Sequence, residues 1–231
     1  MQLCRSAMLW LSTVFWSATL SAQSGDFAGV DFAKADSIAE RYAAHSLYEI
    51  KGLADRLTVS LTTEHEKFRA IYKWVCTNIE VDFDLVERNR QKRNRLSGEK
   101  LVKWNEQFNR EAFETLLDER RTVCTGYAYL IRELAYHAGL RCEVVNGFAK
   151  PGGVAVCDSR PANHSWNKVY LNGKAYYCDP TWSSGPFCLQ TRRFIPRYND
   201  QYFLPDPLFF STEHCIETVF EGKSLPDRVL R

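Results

Sequence analysis

Three side chains, Cys124, His164 and Asp179, have the types and settings for nucleophilic chemistry. Cys124 lies in Arg-Arg-Thr-Val-Cys-Thr-Gly-Tyr, where a loop turns into a helix and Thr122 is available as the cap. Unpaired backbone N–H groups at a helix start favour an anion, so a thiol in the first turn ionises more readily. Gly126 is read as room for a substrate to come close. A cysteine in such a place is also a common small core residue, so alone it decides little.

The second piece is a hairpin. Asn172-Gly173 between two alternating runs is a strong signal for a two-residue turn, which sets Leu171 opposite Lys174. Counting outward brings Trp166 opposite Asp179, with His164 two residues further along on the face that Trp166 occupies. His164 and Asp179 are then diagonal neighbours, about 7–8 Å apart along the backbone and within reach of each other's side chains. A turn one residue longer would place them on opposite faces. A carboxylate beside an imidazole, with a helix-start cysteine elsewhere, matches a nucleophile, a base and the group that orients the base. His45, His65, His137 and His214 lack such a partner and are read as surface or packing residues. Trp166 and Trp182 flank the site and are candidates to shape a cleft for the acyl group, packing being the other role open to them.

Other chemistries find less support. There is no Cys-x-x-Cys, His-Glu-x-x-His or Asp-rich calcium loop, and no GxGxxG, P-loop or serine elbow, so neither a metal nor another cofactor is expected. Thirty basic and 28 acidic side chains leave a net charge of +2, which offers no argument for nucleic acid as a partner.

The 231 residues, 45% of them hydrophobic, suit one domain with a substantial core. Residues 31–60 show apolar positions at helical spacing, enough for two short helices. Thr63 and Glu66 form a capping-box signature ahead of an apolar face of Phe68, Ile71, Tyr72, Val75 and Ile79. Residues 88–103 are polar and basic and read as an exposed insertion, either a solvated loop or a patch for anionic head groups or glycans. A helix from Cys124 carries Tyr127, Ile131, Leu134 and Ala135 on one face and stops at Gly139. Strands follow near 141–149, 165–171 and 174–178. Helices first and strands after make the fold class α+β. The Pro- and aromatic-rich stretch from 187 onward has no firm assignment.

At the start of the chain one charge, Arg5, precedes an apolar run of roughly 14 residues and the small pair Ser21-Ala22. This pattern is that of a signal peptide over residues 1–22, and it makes the protein secreted or periplasmic. The alternative, an uncleaved anchor, has a run short of the ~20 residues needed to span. No later segment has transmembrane length, so no stable membrane insertion is expected after cleavage. Export permits disulfides, and removing Cys4 leaves seven cysteines, an odd number that strands at least one thiol. Pairing and simple burial of the others both remain open.

Taken together, Thr-Val-Cys-Thr-Gly-Tyr-Ala, Asn-His-Ser-Trp-Asn-Lys-Val and Tyr-Tyr-Cys-Asp-Pro-Thr-Trp resemble the three core motifs of the transglutaminase-like superfamily. Upstream, Ile71-Tyr72-Lys73-Trp74-Val75 is similar to the helix preceding that core. Downstream, residues 202–209 resemble the branch that includes kyphoscoliosis peptidase and the cytokinesis-protein-3 type proteins. The chain departs from that branch after His214, where Cys-Ile-Glu-Thr-Val-Phe stands in place of Pro and Trp. The resemblance spans about 62–220, between an N-terminal helical segment (23–61) and a tail (221–231). It implies a papain-like α+β core with Cys124 as nucleophile, His164 as base and Asp179 as orienter. The reaction implied is acyl transfer from an amide of a protein or peptide, including cell-wall peptide, to water or to an amine. The rival is a non-catalytic interaction module that keeps the fold. Oligomeric state is not legible in the sequence.

Overall fold

A computed structural model describes residues 25–157, 162–188 and 190–216; the apolar leader and the tail at 221–231 lie outside them. Three helices come first: α1 (Ala33–Arg41), α2 (Ile50–Thr58) and α3 (Glu64–Asn78). At the start of α3 the capping box is complete, Thr63 accepting the Glu66 N–H while the Glu66 carboxylate accepts the Thr63 N–H at 3.1 Å. The short strand β1 (Glu80–Val81), helices α4 (Phe83–Arg95) and α5 (Gly98–Glu119), and strand β2 (Arg121–Thr122) lead to α6 (Cys124–His137). Strands β1 and β2 pair in parallel directly ahead of Cys124.

The main sheet is antiparallel. Its strands are β3 (Arg141–Ala149), β4 (His164–Leu171), β5 (Lys174–Cys178) and β8 (His214–Ile216), in the order β5-β4-β3-β8. Between β5 and β8 the chain forms α7 (Pro180–Ser184), a hairpin of β6 (Phe187–Cys188) and β7 (Arg193–Phe194), and α8 (Pro207–Glu213). Helix α6 packs against β3 and β4 on one side and α2 and α3 on the other. Its Tyr127, Leu130, Ile131 and Leu134 share one core cluster with Leu53, Leu57, Ile71 and Val169. Burial of each such side chain stabilises the fold by roughly 1.5–3 kcal/mol, and the N-terminal helices draw on the same core as the sheet.

The basic stretch at 88–103 is helical, not a loop. Asp82 caps α4 by accepting the Leu85 N–H at 2.9 Å. Leu85, Phe108, Ala112 and Val123 form a small core beneath α4 and α5. Arg90 pairs with Glu87 one turn before it, Arg88 pairs with Glu111 across the two helices, and Trp104 donates to Asn89 at 2.9 Å. Arg, Lys, Gln and Glu are good helix formers, so polarity marks this segment as exposed without making it irregular.

Candidate active site

Asp179 is held by local capping. As N-cap of α7, with Pro180 at the first helical position, its Oδ1 accepts the N–H groups of Thr181 (2.9 Å) and Trp182 (3.1 Å). Helix α3 fixes its backbone, since the Tyr72 hydroxyl lies 2.8 Å from the Asp179 carbonyl and 2.7 Å from Ser183 Oγ. That leaves Oδ2 to face the sheet.

There it meets His164. The turn is of the expected kind, with φ of 51° at Asn172 and 79° at Gly173, and the ladder runs from Leu171↔Lys174 to Asn167↔Cys178. His164 Nε2 lies 2.6 Å from Asp179 Oδ2 and both residues are buried. Cys124, the first residue of α6, interacts with the His164 ring and remains partly exposed. Thr125 Oγ1 sits 3.3 Å from Ser165 Oγ, which donates to Asn146 at 2.7 Å. Asn167 donates to the Ala128 carbonyl at 2.9 Å. These bonds tie the start of α6 to β4.

The electrostatics follow from this packing. Burial alone would raise the Cys124 thiol, but the charged His164 ring, its hydrogen bond and the Ser165 N–H bring it below the ordinary thiol value. Burial alone would lower His164, but the Asp179 carboxylate and Cys124 carry it up to about 10. Burial works against the Asp179 charge too, yet His164 and His214 hold its pKa well below the usual carboxylate range. The arrangement favours a thiolate–imidazolium pair supported by a carboxylate.

Thr122 is not the cap of α6. Val123 holds that position without a side-chain hydrogen bond, and Thr122 donates to the Ala112 carbonyl at 3.0 Å. An apolar cap leaves the first-turn N–H groups of α6 without a side-chain acceptor, ready for an anion. Gly126 serves packing rather than substrate access, since a Cβ there would lie 2.0 Å from Thr122 Oγ1. Trp166 is fully buried, and Trp182, half-buried, stacks on His164 at 5.2 Å. Of the two, only Trp182 offers surface to a cleft.

His214 corrects the reading of it as a residue without a partner. Its Nε2 is 3.1 Å from Asp179 Oδ2, beside the His164 contact. The separation in sequence hid this, since β8 comes beyond a segment of weak periodicity. The Asp-Pro start of α7 and the aromatics around His214 were the available signals. The donor atoms of His164, Asp179 and His214 lie within 4.8 Å of one another, and the three are the group of metal-ligand type among the described residues. A 2.6 Å nitrogen–oxygen separation suits a shared proton. Two donors on one tetrahedral ion with ~2.0 Å bonds sit roughly 3.3 Å apart.

Residues 51–180, more than half of the chain, match the family model described as the transglutaminase-like superfamily. Kyphoscoliosis peptidase of Mus musculus is 32% identical over 187 residues, covering 79% of this chain and 25% of the relative. The chain belongs to the transglutaminase-like superfamily. Hillarin of Drosophila melanogaster is 28% identical over 80% of the chain and 22% of its own length, so the chain spans about a quarter of the curated relatives it matches. A solved structure described as a TGase is 17% identical, with a TM-score of 0.42 over 74% of this chain and 35% of the other. In this transglutaminase-like chain the matched span holds Cys124, His164 and Asp179, and His214 lies beyond it.

Proposed function

We propose that the protein is a thiol enzyme acting on amide bonds of proteins or peptides, with Cys124 as nucleophile, His164 as base and then acid, and Asp179 as orienter. The observation that supports this best is the 2.6 Å His164–Asp179 hydrogen bond, with Cys124 at the start of α6 interacting with the same imidazole. In this reading His164 Nε2 is engaged by the carboxylate, which leaves Nδ1 for the thiol. The thiolate attacks the amide carbonyl, the imidazolium protonates the departing amine, and an acyl-enzyme remains. Water then yields hydrolysis, an amine yields transamidation. The N–H of Cys124, in the uncapped first turn of α6, suits the oxyanion.

Alkylation tests the reading. Iodoacetamide is expected to label Cys124 rapidly near neutral pH in the wild type and at least about tenfold more slowly in His164→Ala, which lacks the charge that holds the thiolate. Equal, slow labelling of the two would sink it. Casein, peptidoglycan fragments, and a glutamine peptide with a labelled amine separate peptidase, cell-wall amidase and acyltransferase. No turnover on any of them, with Cys124→Ala still binding a partner as the wild type does, would favour the interaction module.

A further inference from the structure

We propose that His214 is a positioning residue that carries a proton on both ring nitrogens and, in that form, holds Asp179 as the carboxylate that aligns His164. This rests on the reading of Cys124, His164 and Asp179 given above.

Hydrogen-bond accounting leads to it. Nδ1 of His214 lies 3.2 Å from the Phe210 carbonyl oxygen, which can only accept, so Nδ1 carries a proton. Nε2 lies 3.1 Å from Asp179 Oδ2. Asp179 already accepts from Thr181 N, Trp182 N and His164, the environment of an anion. A bare Nε2 would aim its lone pair at that anion. Only a second ring proton satisfies both contacts.

Charge balance agrees. A Cys124 thiolate, a His164 imidazolium and an Asp179 carboxylate leave one net negative charge in a largely buried site; a second imidazolium cancels it. The titratable groups around the His214 ring are Asp179 from the start of α7, His164 from β4 (ring centres 6.0 Å apart) and Tyr202 (6.1 Å); His164 in turn interacts with Cys124. Glu213, next in the chain, accepts from Gly152 N and Tyr202 Oη, both at 2.6 Å. The ring is stacked on Phe210 at 3.9 Å, a face that favours a cation, and lies 4.5 Å from Trp182 and 4.9 Å from Trp166. The cation makes Asp179 a weaker base, so the shared proton stays on His164 and continues to support the thiolate.

The direct test is NMR of the full-length protein with 15N-labelled histidine, the His214 signals being identified by their loss in His214→Phe or His214→Gln. Both ring nitrogens are expected at imidazolium shifts from pH 6 to pH 8. One bare nitrogen at pH 7 overturns the proposal. His214→Phe keeps the ring packing and removes the charge. The pH midpoint of Cys124 alkylation is then expected to rise by about one unit, the effect of losing a unit charge several ångströms away. His214→Gln, which restores a neutral donor to Asp179, is expected to keep the raised midpoint. A role in packing alone would lower the melting temperature without moving the midpoint, and an unmoved midpoint in both folded variants also overturns the proposal. Failure of the enzyme reading is distinguishable: slow labelling of wild-type Cys124 would remove the thiol chemistry while the nitrogen shifts of His214 still report its protonation.

Discussion

Asp179 does three things with one carboxylate: it caps α7, aligns His164 and meets His214. Asp179→Asn preserves an oxygen for the cap but removes the charge that stabilises the imidazolium. Activity is expected to fall by about 10²–10⁴-fold, read as kcat/KM on whichever substrate is turned over. Linkage adds a pH test. The folded protein holds Asp179 ionised below the usual carboxylate range, so its contribution to stability is present above the unfolded value and is lost as pH falls through the folded one. The stability gap between wild type and Asp179→Asn, measured by denaturant titration, should therefore narrow below about pH 4. A gap that widened on acidification would contradict an ionised Asp179.

The hairpin of β4 and β5 is the element that determines whether the site exists. Asn172 and Gly173 both have positive φ, so the turn suits these two residues and fixes a register in which every second β4 residue faces the site. Inserting one residue after Gly173 should shift the edge strand β5 against β4, which β3 holds in register, turn Asp179 away from His164 and abolish rapid alkylation of Cys124 while circular dichroism still reports the sheet. This part was legible in the sequence because a two-residue turn and a period of two leave no freedom. The basic stretch at 88–103 was not. Its polarity suggests an irregular segment, whereas a few contacts from Leu85, Trp104 and Phe108 are enough to order two good helix-forming segments. The cap of α6 was missed for a similar reason: Thr122 has the side chain of a cap, but parallel pairing of β2 with β1 turns it to the Ala112 carbonyl.

At the scale of the molecule, β8 is the strand that completes the sheet next to β3 and brings His214 to Asp179. Cys157–Cys215, a disulfide across 58 residues of sequence, ties this strand to the segment that follows β3. Gly147 belongs to the same junction, where a Cβ would meet the Cys215 carbonyl at 2.3 Å. Cys215→Ser is expected to cost about 2–4 kcal/mol in denaturant unfolding. The loss should be accompanied by a higher pH midpoint for Cys124 alkylation, because the strand bearing His214 is less firmly held. A stability loss with an unchanged midpoint would confine the disulfide to a structural role. With this bond formed, Cys124 is one of the free thiols among the described residues.

By itself the sequence determined the α+β class, the helix that opens at Cys124, and the His164–Asp179 pairing, because each rests on short-range periodicity and one tight turn. Tertiary structure decided the rest. Whether Cys124 faces His164 depends on how α6 packs against β4, and no local pattern encodes that. Whether His214 reaches Asp179 depends on a strand that returns to the sheet after α8. Gly126 changed meaning for the same reason, since only packing reveals which neighbour a missing Cβ makes room for. Cys124 owes its position to its own helix start and the charge beside it to residues 40 and more positions away.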